Sequence, residues 1–393
     1  MTELPTVQIP AHLPEPDAPA LSHGLQVQAM LREKIDAAGG WLPFDAWMQA
    51  ALYAPGLGYY SAGSAKFHQE GDFTTAPETS PLFARALAPQ VAQILQASGS
   101  QTVLEFGAGS GALAAALIPA LQDLGITVDY RILDVSADLR ARQQARLAPW
   151  GEQVQWLDTL PSAFEGCVLA NEVLDAMPVT LFRWNDQGGL DELGVEHSPA
   201  PQATVPFSWA TRPADPAVGT VVSARMPPLP GYQSEINLQA EAWIRDLGRW
   251  LRCGAALLID YGFPQAEYYH PQRLQGTLMC HFRHHAHDQP LILPGLQDIT
   301  AHVDFTAMAD AALDGGLDVL GYTSQARFLM NAGLMNLIQA PGDNPPERAR
   351  QLAALNTLIS EAEMGELFKV LAIGRGVDGP LLGFNRGDRR DRL

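Results

Sequence analysis

The sequence has few cysteines and few positive charges. Its three cysteines, Cys167, Cys253 and Cys280, are too few for a disulfide framework in 393 residues, so we expect a reducing compartment. None stands in a C-x-x-C pair, which disfavours a zinc ribbon. Lysine and arginine total 25 against 43 acidic residues, and the net charge is −18. Such a surface repels phosphate backbones, so we expect no nucleic-acid partner, whereas basic peptides are compatible with it.

Long apolar runs and targeting signals are also missing. No run approaches membrane-spanning length, so no membrane partner is expected. The first twenty residues hold five prolines and no lysine or arginine, which fits neither a secretory signal nor a mitochondrial presequence. We therefore expect a cytoplasmic protein with a disordered proline-rich tail over residues 1–24 and a charged, disordered tail over 381–393. The sequence does not indicate an oligomeric state.

Apolar periodicity indicates a helical N-terminal segment followed by an α/β core. The segment over 25–98 contains helical spacing and a Gly-, Thr-, Ser- and Pro-rich stretch at 63–80, which we expect to be a functional loop. Over 99–380, apolar strands alternate with helices, as in a parallel sheet covered on both faces. Insertions are expected at about 182–232 and 263–316. The expected strands are 102–106, 128–134, 154–157, 167–170, 255–260, 334–339 and 368–373.

A predicted strand is followed by a glycine-rich turn and a helix, which is the arrangement with which nucleotide-binding folds begin. Glu105 precedes Gly107, Gly109 and Gly111, whose missing Cβ atoms let a ligand approach the backbone. The turn with Ala112 also fits the dinucleotide pattern G-x-G-x-x-A. Glu105 would oppose a pyrophosphate at the helix N-terminus, whereas S-adenosylmethionine carries a cationic sulfonium and an ammonium group and no phosphate. The loop therefore favours S-adenosylmethionine over NAD(P).

Acidic residues follow the next predicted strands. Asp134 ends the second strand, where an acid holds ribose hydroxyls in both ligand classes, so it does not discriminate between them. Asp158 follows the third strand, at a position suited to an adenine contact or to a turn before Pro161. These positions still predict a nucleoside-binding edge, because the carboxyl ends of parallel strands meet there.

The fourth strand runs into Asn171 and two carboxylates, Glu172 and Asp175. Residues at i and i+3 share one face if the segment turns helically. We interpret the pair as ligands of a substrate, the alternative being a capped turn that Pro178 ends.

Six segments stand in the order typical of the MidA-like methyltransferase family. They are 59–60 with 71–80, 104–113, 170–178, 260–262, 276–278 and 298–305. The chain resembles this family from about residue 25 to about residue 374, although the family's N-E-F-F-D-A-L-P reads N-E-V-L-D-A-M-P at 171–178. The family includes the mitochondrial arginine methyltransferase that assists assembly of respiratory complex I.

The resemblance implies a Rossmann-like α/β fold of class I methyltransferases, with a seven-stranded sheet whose last strand inserts antiparallel. It implies S-adenosylmethionine-dependent methylation of a protein arginine, with a respiratory complex I subunit as a candidate substrate. A non-catalytic S-adenosylmethionine-binding assembly factor and an NAD(P)-dependent oxidoreductase are the alternatives. The candidate cofactor-binding residues are Thr75, Pro77, Glu78, Glu105, Gly107, Ala108, Gly109, Gly111, Asp134, Val135, Asp158 and Asn171.

A guanidinium acceptor needs carboxylates that hold its planar fork. The catalytic candidates are Glu172, then Asp175, then Glu235. Glu235 has an alternative interpretation as the acid of a helix N-terminus after a Ser234 cap.

Four histidines lie between His281 and His287, and His284, His287 and Asp288 could face one ion. We interpret them as polar loop residues and expect no metal, because methyl transfer needs none.

Overall fold

The structure, a computed structural model, describes residue 4 and residues 7–62, 75–199, 205–338, 345–361 and 363–393. Most of the loop expected at 63–80 therefore lies outside the described residues. The chain divides into two compact units built from interleaved segments. The first unit comprises Met1–Phe73, Asp175–Gln239 and Gln265–Asp304, and the second comprises Thr74–Leu174, Ala240–Pro264 and Phe305–Leu393. None of the helices described has the length and apolarity that crossing a membrane requires.

The described residues form twelve α-helices and sixteen strands, numbered in chain order. The helices α1 to α12 are Ala18–Ala37, Phe44–Tyr53, Ala76–Thr79, Pro81–Ser98, Ala112–Asp123, Ala137–Leu147, Pro216–Arg225, Leu238–Trp250, Gln265–Tyr268, Phe305–Asp314, Gln325–Asn331 and Pro345–Ile359. The strands β1 to β16 are Leu42–Pro43, Thr102–Phe106, Asp129–Leu133, Val154–Leu157, Phe164–Asn171, Thr180–Trp184, Leu190–His197, Phe207–Pro213, Gln233–Ile236, Leu251–Phe263, Met279–Phe282, His285–His287, Asp298–Thr300, Val303–Asp304, Asp318–Ser324 and Phe368–Arg375.

Seven strands of the second unit form one sheet in the order β4-β3-β2-β5-β10-β16-β15. The first five are parallel, and β16 runs antiparallel to both of its neighbours. The expected seven-stranded sheet with an antiparallel last strand is therefore confirmed. Val103, Leu169 and Leu257, on three adjacent strands, are buried with Leu87 of α4 and Leu117 of α5. Each such side chain contributes about 1.5–3 kcal/mol on burial, which explains why these strands are apolar runs.

The first unit packs helices on antiparallel sheets. Its larger sheet has the order β1-β7-β6-β9 with β8 beside β7, and its smaller sheet has the order β12-β11-β13. Leu31 of α1 and Trp47 of α2 are fully buried in its core. The Trp47 ring meets Phe207 edge-on, with 4.5 Å between ring centroids.

The prediction that both tails are disordered is wrong for part of each tail. Helix α1 begins at Ala18, because the Asp17 side chain accepts a hydrogen bond from the Ala20 N–H at 2.9 Å and caps the helix. In the C-terminal tail, the Arg389 N–H donates to the Tyr322 carbonyl at 2.7 Å, and Arg389 pairs with Glu366. These contacts hold residues 381–393 on the second unit.

Two further expectations differ from the structure. The strand expected at 334–339 is wrong, because Leu334–Leu337 is a 3₁₀ turn and the sixth core strand is β15 instead. The second insertion was expected to end at 316, whereas Phe305–Asp314 is a helix of the second unit. The inserted segment of the first unit therefore stops at Asp304.

We expect Gly248→Ala to destabilise the second unit. A Cβ at Gly248 in α8 would lie 1.9 Å from the Gly315 carbonyl oxygen. Overpacking of this kind costs about 1–3 kcal/mol of unfolding free energy. Gly219 in α7 is the matched control, because nothing described lies within 4 Å of its Cβ position, and Gly219→Ala should stabilise by about 0.5–1 kcal/mol. Urea denaturation measures both, and equal effects of the two substitutions would contradict the packing argument.

Candidate active site

The glycine loop joins β2 to α5 through three left-handed glycines. Gly107, Gly109 and Gly111 have φ values of 59°, 54° and 83°. A Cβ at Gly107 would lie 3.1 Å from Val173 Cγ2, whereas no described atom beyond the adjoining residues lies within 4 Å of the Cβ position of Gly109. The backbone at Gly109 is therefore open to a ligand, as a nucleoside-binding turn requires.

The Asp134 carboxylate is held beside this loop. Its Oδ1 accepts from the Ser136 N–H at 2.9 Å, and its Oδ2 accepts from Gln143 Nε2 at 2.8 Å. Gln143 Nε2 also donates to the Gly109 carbonyl at 2.9 Å. Burial raises the pKa of Asp134. Each carboxylate oxygen retains a further lone pair, so ribose hydroxyls could still donate to it.

Other predicted cofactor residues around the loop have varied environments. Ala108 is buried within the loop, whereas Val135 is 71% exposed. Asp158 accepts from Arg140 Nη1 at 2.5 Å, and its side chain is 81% exposed. This position suits a solvent-facing ion pair as well as a ligand contact, so the role of Asp158 stays a prediction.

Glu105 is buried in the sheet interior. Its Oε2 accepts from the Tyr130 hydroxyl on the neighbouring strand at 2.7 Å. Burial raises the pKa of Glu105 to about 7; the Tyr130 hydrogen bond opposes this increase, and the Asp134 charge adds to it. The expected contact of Glu105 with a cationic cofactor stays a prediction, since the contact seen in the structure is with Tyr130.

The segment before α4 reaches the glycine loop through Glu78. Thr75 stands at the N-cap position of the four-residue helix α3, in which Pro77 lies, and Glu78 Oε1 accepts from Ser110 Oγ. Arg146 Nη1 pairs with the same oxygen at 3.3 Å. Glu78, Ser110 and Arg146 therefore form one polar cluster at the loop. The cofactor roles of Thr75, Pro77 and Glu78 stay predictions.

The turn after β5 carries Glu172 in an unusual conformation. Glu172 has a φ of 53°, in the left-handed region that non-glycine residues seldom adopt. Its N–H donates to the Ile259 carbonyl at 2.9 Å, and the Leu174 N–H donates to Asp260 Oδ2 at 3.0 Å. Asn171 Nδ2 donates to Glu172 Oε1 at 3.1 Å. These contacts orient the carboxylate at the carboxyl end of the sheet.

Glu172 and Asp175 would share one face only if the segment turned helically, and this condition is not met, because the chain bends at Glu172 with a positive φ. The two residues also belong to different units, Glu172 to the second and Asp175 to the first. Asp175 is buried, and its carbonyl accepts from the Ala301 N–H at 3.0 Å.

Glu235 lies on β9 of the first unit, so its interpretation as the acid of a helix N-terminus is wrong. It is 1% exposed. Its Oε1 accepts from the Tyr268 hydroxyl at 2.7 Å and from Thr277 N and Oγ1 at 2.9 and 2.5 Å. Burial raises its pKa, and these donors oppose the increase. The carboxylate holds residues of its own unit together, and its catalytic role stays a prediction.

The histidine-rich segment lies in the first unit. Burial lowers the pKa of His287 to about 4, so this side chain is neutral at pH 7. Within the described ranges, no group of three or more His, Cys, Asp or Glu side chains could hold a metal ion.

Sequence reasoning missed Gln143 and Asp260 as members of the site. Asp260 stands in one of the family-like segments, so a signal for it existed. Gln143 carries a subtler signal: it occupies the i+4 position between Leu139 and Leu147, on the buried face of α6, where a polar residue needs partners.

The sheet order and the open glycine loop define a class I, S-adenosylmethionine-dependent methyltransferase. Comparison with known proteins agrees: the model of a family of S-adenosyl-L-methionine-dependent methyltransferases matches residues 86–323. The chain belongs to this family, as its MidA-like resemblance implied, and S-adenosylmethionine is its cofactor.

Relatives cover nearly the whole chain. A Burkholderia thailandensis crystal structure bound to S-adenosyl-homocysteine is 49% identical with a TM-score of 0.91, covering 97% of this chain and 100% of that one. The mouse protein named Protein arginine methyltransferase NDUFAF7, mitochondrial, is 28% identical over 387 residues, covering 88% of this chain and 85% of its own. The Drosophila melanogaster homolog of that name is 28% identical over 414 residues, covering 96% and 91%.

We expect Glu105→Gln to change how stability depends on pH. Because burial raises the pKa of Glu105 from 4.5 to about 7, the folded state binds this proton more tightly than the unfolded state. Folding stability therefore falls as the pH rises from 4.5 to about 7. Glutamine keeps an acceptor for Tyr130, so the variant should gain stability relative to the parent by up to about 1.4 kcal/mol per pH unit in that window.

Urea denaturation across this pH range measures the effect. Glu165→Gln, at an exposed position of β5, is the control for net charge. Parallel stability curves for the parent and Glu105→Gln would contradict the prediction.

A second prediction concerns the left-handed Glu172. Since only glycine adopts this conformation without steric cost, Glu172→Gly should be more stable than Glu172→Ala by about 1 kcal/mol. Both variants lack the carboxylate, so the difference isolates the backbone. Chemical denaturation checks it, and a less stable glycine variant would show that the turn carries no strain.

Proposed function

We propose that the protein transfers the methyl group of S-adenosylmethionine to an arginine side chain of a protein, with a respiratory complex I subunit as a candidate acceptor. The observation that carries the proposal is the turn at Glu172, whose next residue, Val173, lies so near the cofactor loop that a Cβ added at Gly107 would stand 3.1 Å from Val173 Cγ2. Glu172 would then present its carboxylate next to the methyl donor. The names of the mouse and Drosophila relatives support arginine as the acceptor.

The roles of the chain's own residues follow from the chemistry of the acceptor. When bound, the cofactor supplies an activated methyl group, and the enzyme must align one nitrogen with it and exclude water. A guanidinium is planar and stays charged, so a fixed carboxylate can orient it through paired hydrogen bonds. Asn171 orients Glu172 for this task through its contact with Oε1. The net charge of −18 would also favour encounter with a basic protein.

The location and the turnover of the protein are part of this proposal. The cytoplasmic location expected from the sequence stays a prediction, which fractionation of cells expressing a tagged chain would test. A non-catalytic assembly factor would bind S-adenosylmethionine and transfer no methyl group to any protein, so a transfer assay separates the two candidates.

The test is methyl transfer from labelled S-adenosylmethionine into a cell extract, followed by mass spectrometry of the labelled protein. We expect methylarginine in one or a few proteins, and about a hundredfold slower transfer by Glu172→Gln because the acceptor loses its alignment. Cofactor affinity, measured by calorimetry, should stay unchanged. Glu165→Gln is the charge-matched control and should transfer at the parent rate.

The outcomes separate the parts of the proposal. Labelled lysine or histidine in place of arginine would overturn the acceptor. Full activity of Glu172→Gln would overturn the role of Glu172. Cofactor binding without any labelled protein would favour the assembly factor.

A further inference from the structure

The side-chain amide of Gln143 joins three parts of the second unit. Its Nε2 donates to the Gly109 carbonyl at 2.9 Å and to Asp134 Oδ2 at 2.8 Å, and its Oε1 accepts from Trp156 Nε1 at 3.0 Å. Gln143 is 0% exposed. One buried amide therefore connects the glycine loop with Asp134 after β3 and with Trp156 of β4.

Trp156 determines which way this amide points. An indole N–H can only donate, so the Gln143 atom that faces it must be the oxygen. The amide NH₂ then faces the Gly109 carbonyl and Asp134, which are both acceptors. A flipped amide would set donor against donor and acceptor against acceptor, so the three contacts allow one orientation only.

This arrangement holds Asp134 from two sides. The Ser136 N–H fixes one carboxylate oxygen, and Gln143 fixes the other. The same amide fixes the carbonyl of Gly109, the residue whose Cβ position is open. A surface held in its binding conformation loses less entropy when a ligand arrives.

We propose that Gln143 is a positioning residue of the cofactor site, oriented by Trp156, which holds the glycine loop and the Asp134 carboxylate as one preformed surface for the nucleoside part of S-adenosylmethionine. The inference rests on the cofactor and not on the methyl acceptor. Its failure and the failure of arginine specificity are therefore measured separately.

Gln143→Met tests the proposal, because methionine keeps the length of the side chain and removes all three hydrogen bonds of the amide. We expect the Kd of S-adenosylmethionine and of S-adenosyl-homocysteine, measured by calorimetry, to rise about tenfold. The kcat at saturating cofactor should change less than about twofold, because the reacting groups are untouched. Gln144→Met, at the exposed neighbouring position on α6, is the matched control and should bind as the parent does.

A double-mutant cycle separates positioning from packing. Trp156→Phe removes the indole N–H that orients the amide, together with part of a ring that packs on the core, and should raise the Kd about threefold. In the Gln143→Met background the same change should have no further effect on the Kd. Parent affinity in Gln143→Met would overturn the proposal, and so would equal effects of Trp156→Phe in both backgrounds. If Gln143→Met does not fold, Trp156→Phe alone decides, and an unchanged Kd would overturn the proposal.

Discussion

The constraint on which this site depends is the burial of carboxylates in the apolar sheet and in the turns at its carboxyl edge. A buried carboxylate is costly unless hydrogen bonds compensate for lost water. Glu105 is bonded to Tyr130, Asp134 to Ser136 and Gln143, and Asp260 to the Leu174 N–H. Each of these donors lies in the second unit, so the cofactor side of the site is built within one unit. The hydrogen bonds that compensate for burial also fix local structure. Those to Asp134 and Asp260 fix the turns after β3 and β5, and that to Glu105 joins β2 to β3.

In the second unit, both glycines and one non-glycine residue adopt left-handed backbone conformations at the carboxyl end of the sheet. Glycines take the left-handed positions of the cofactor loop, where a missing Cβ leaves room for the ligand. Glu172 takes such a position with a full side chain, and its contacts to Ile259 and Asn171 compensate for the steric cost. Strain of this kind persists where the surrounding structure determines it, and it clusters at functional sites. The backbone of the glycine loop is thus open to a ligand, whereas the backbone at Glu172 is held in a conformation that its contacts must stabilise.

How much of this could be predicted depends on whether a signal is local. The parallel strands were predicted because both faces are buried and the sequence shows apolar runs. Strand β15 was missed because it is only partly apolar and contains Gly321, which is required since a Cβ there would lie 2.3 Å from the Phe384 ring. That contact joins residues far apart in the chain. The start of α1 was readable, since Asp17 and Pro19 are ordinary start signals, but the surrounding prolines favoured disorder.

The same distinction between local and non-local signals applies to the residues of the candidate site. Residue types and strand ends indicated the glycine loop, Asp134 and Glu172, because topology alone brings the ends of parallel strands to one edge. Neither the positive φ of Glu172 nor the orientation of Gln143 follows from local sequence, since each depends on partners from other elements. Ile259 and Asp260 fix the turn that carries Glu172, and Trp156 fixes the amide of Gln143. Sequence therefore predicts which groups a methyltransferase site contains. The orientation of those groups depends on hydrogen-bond partners from other elements, which only the fold brings together.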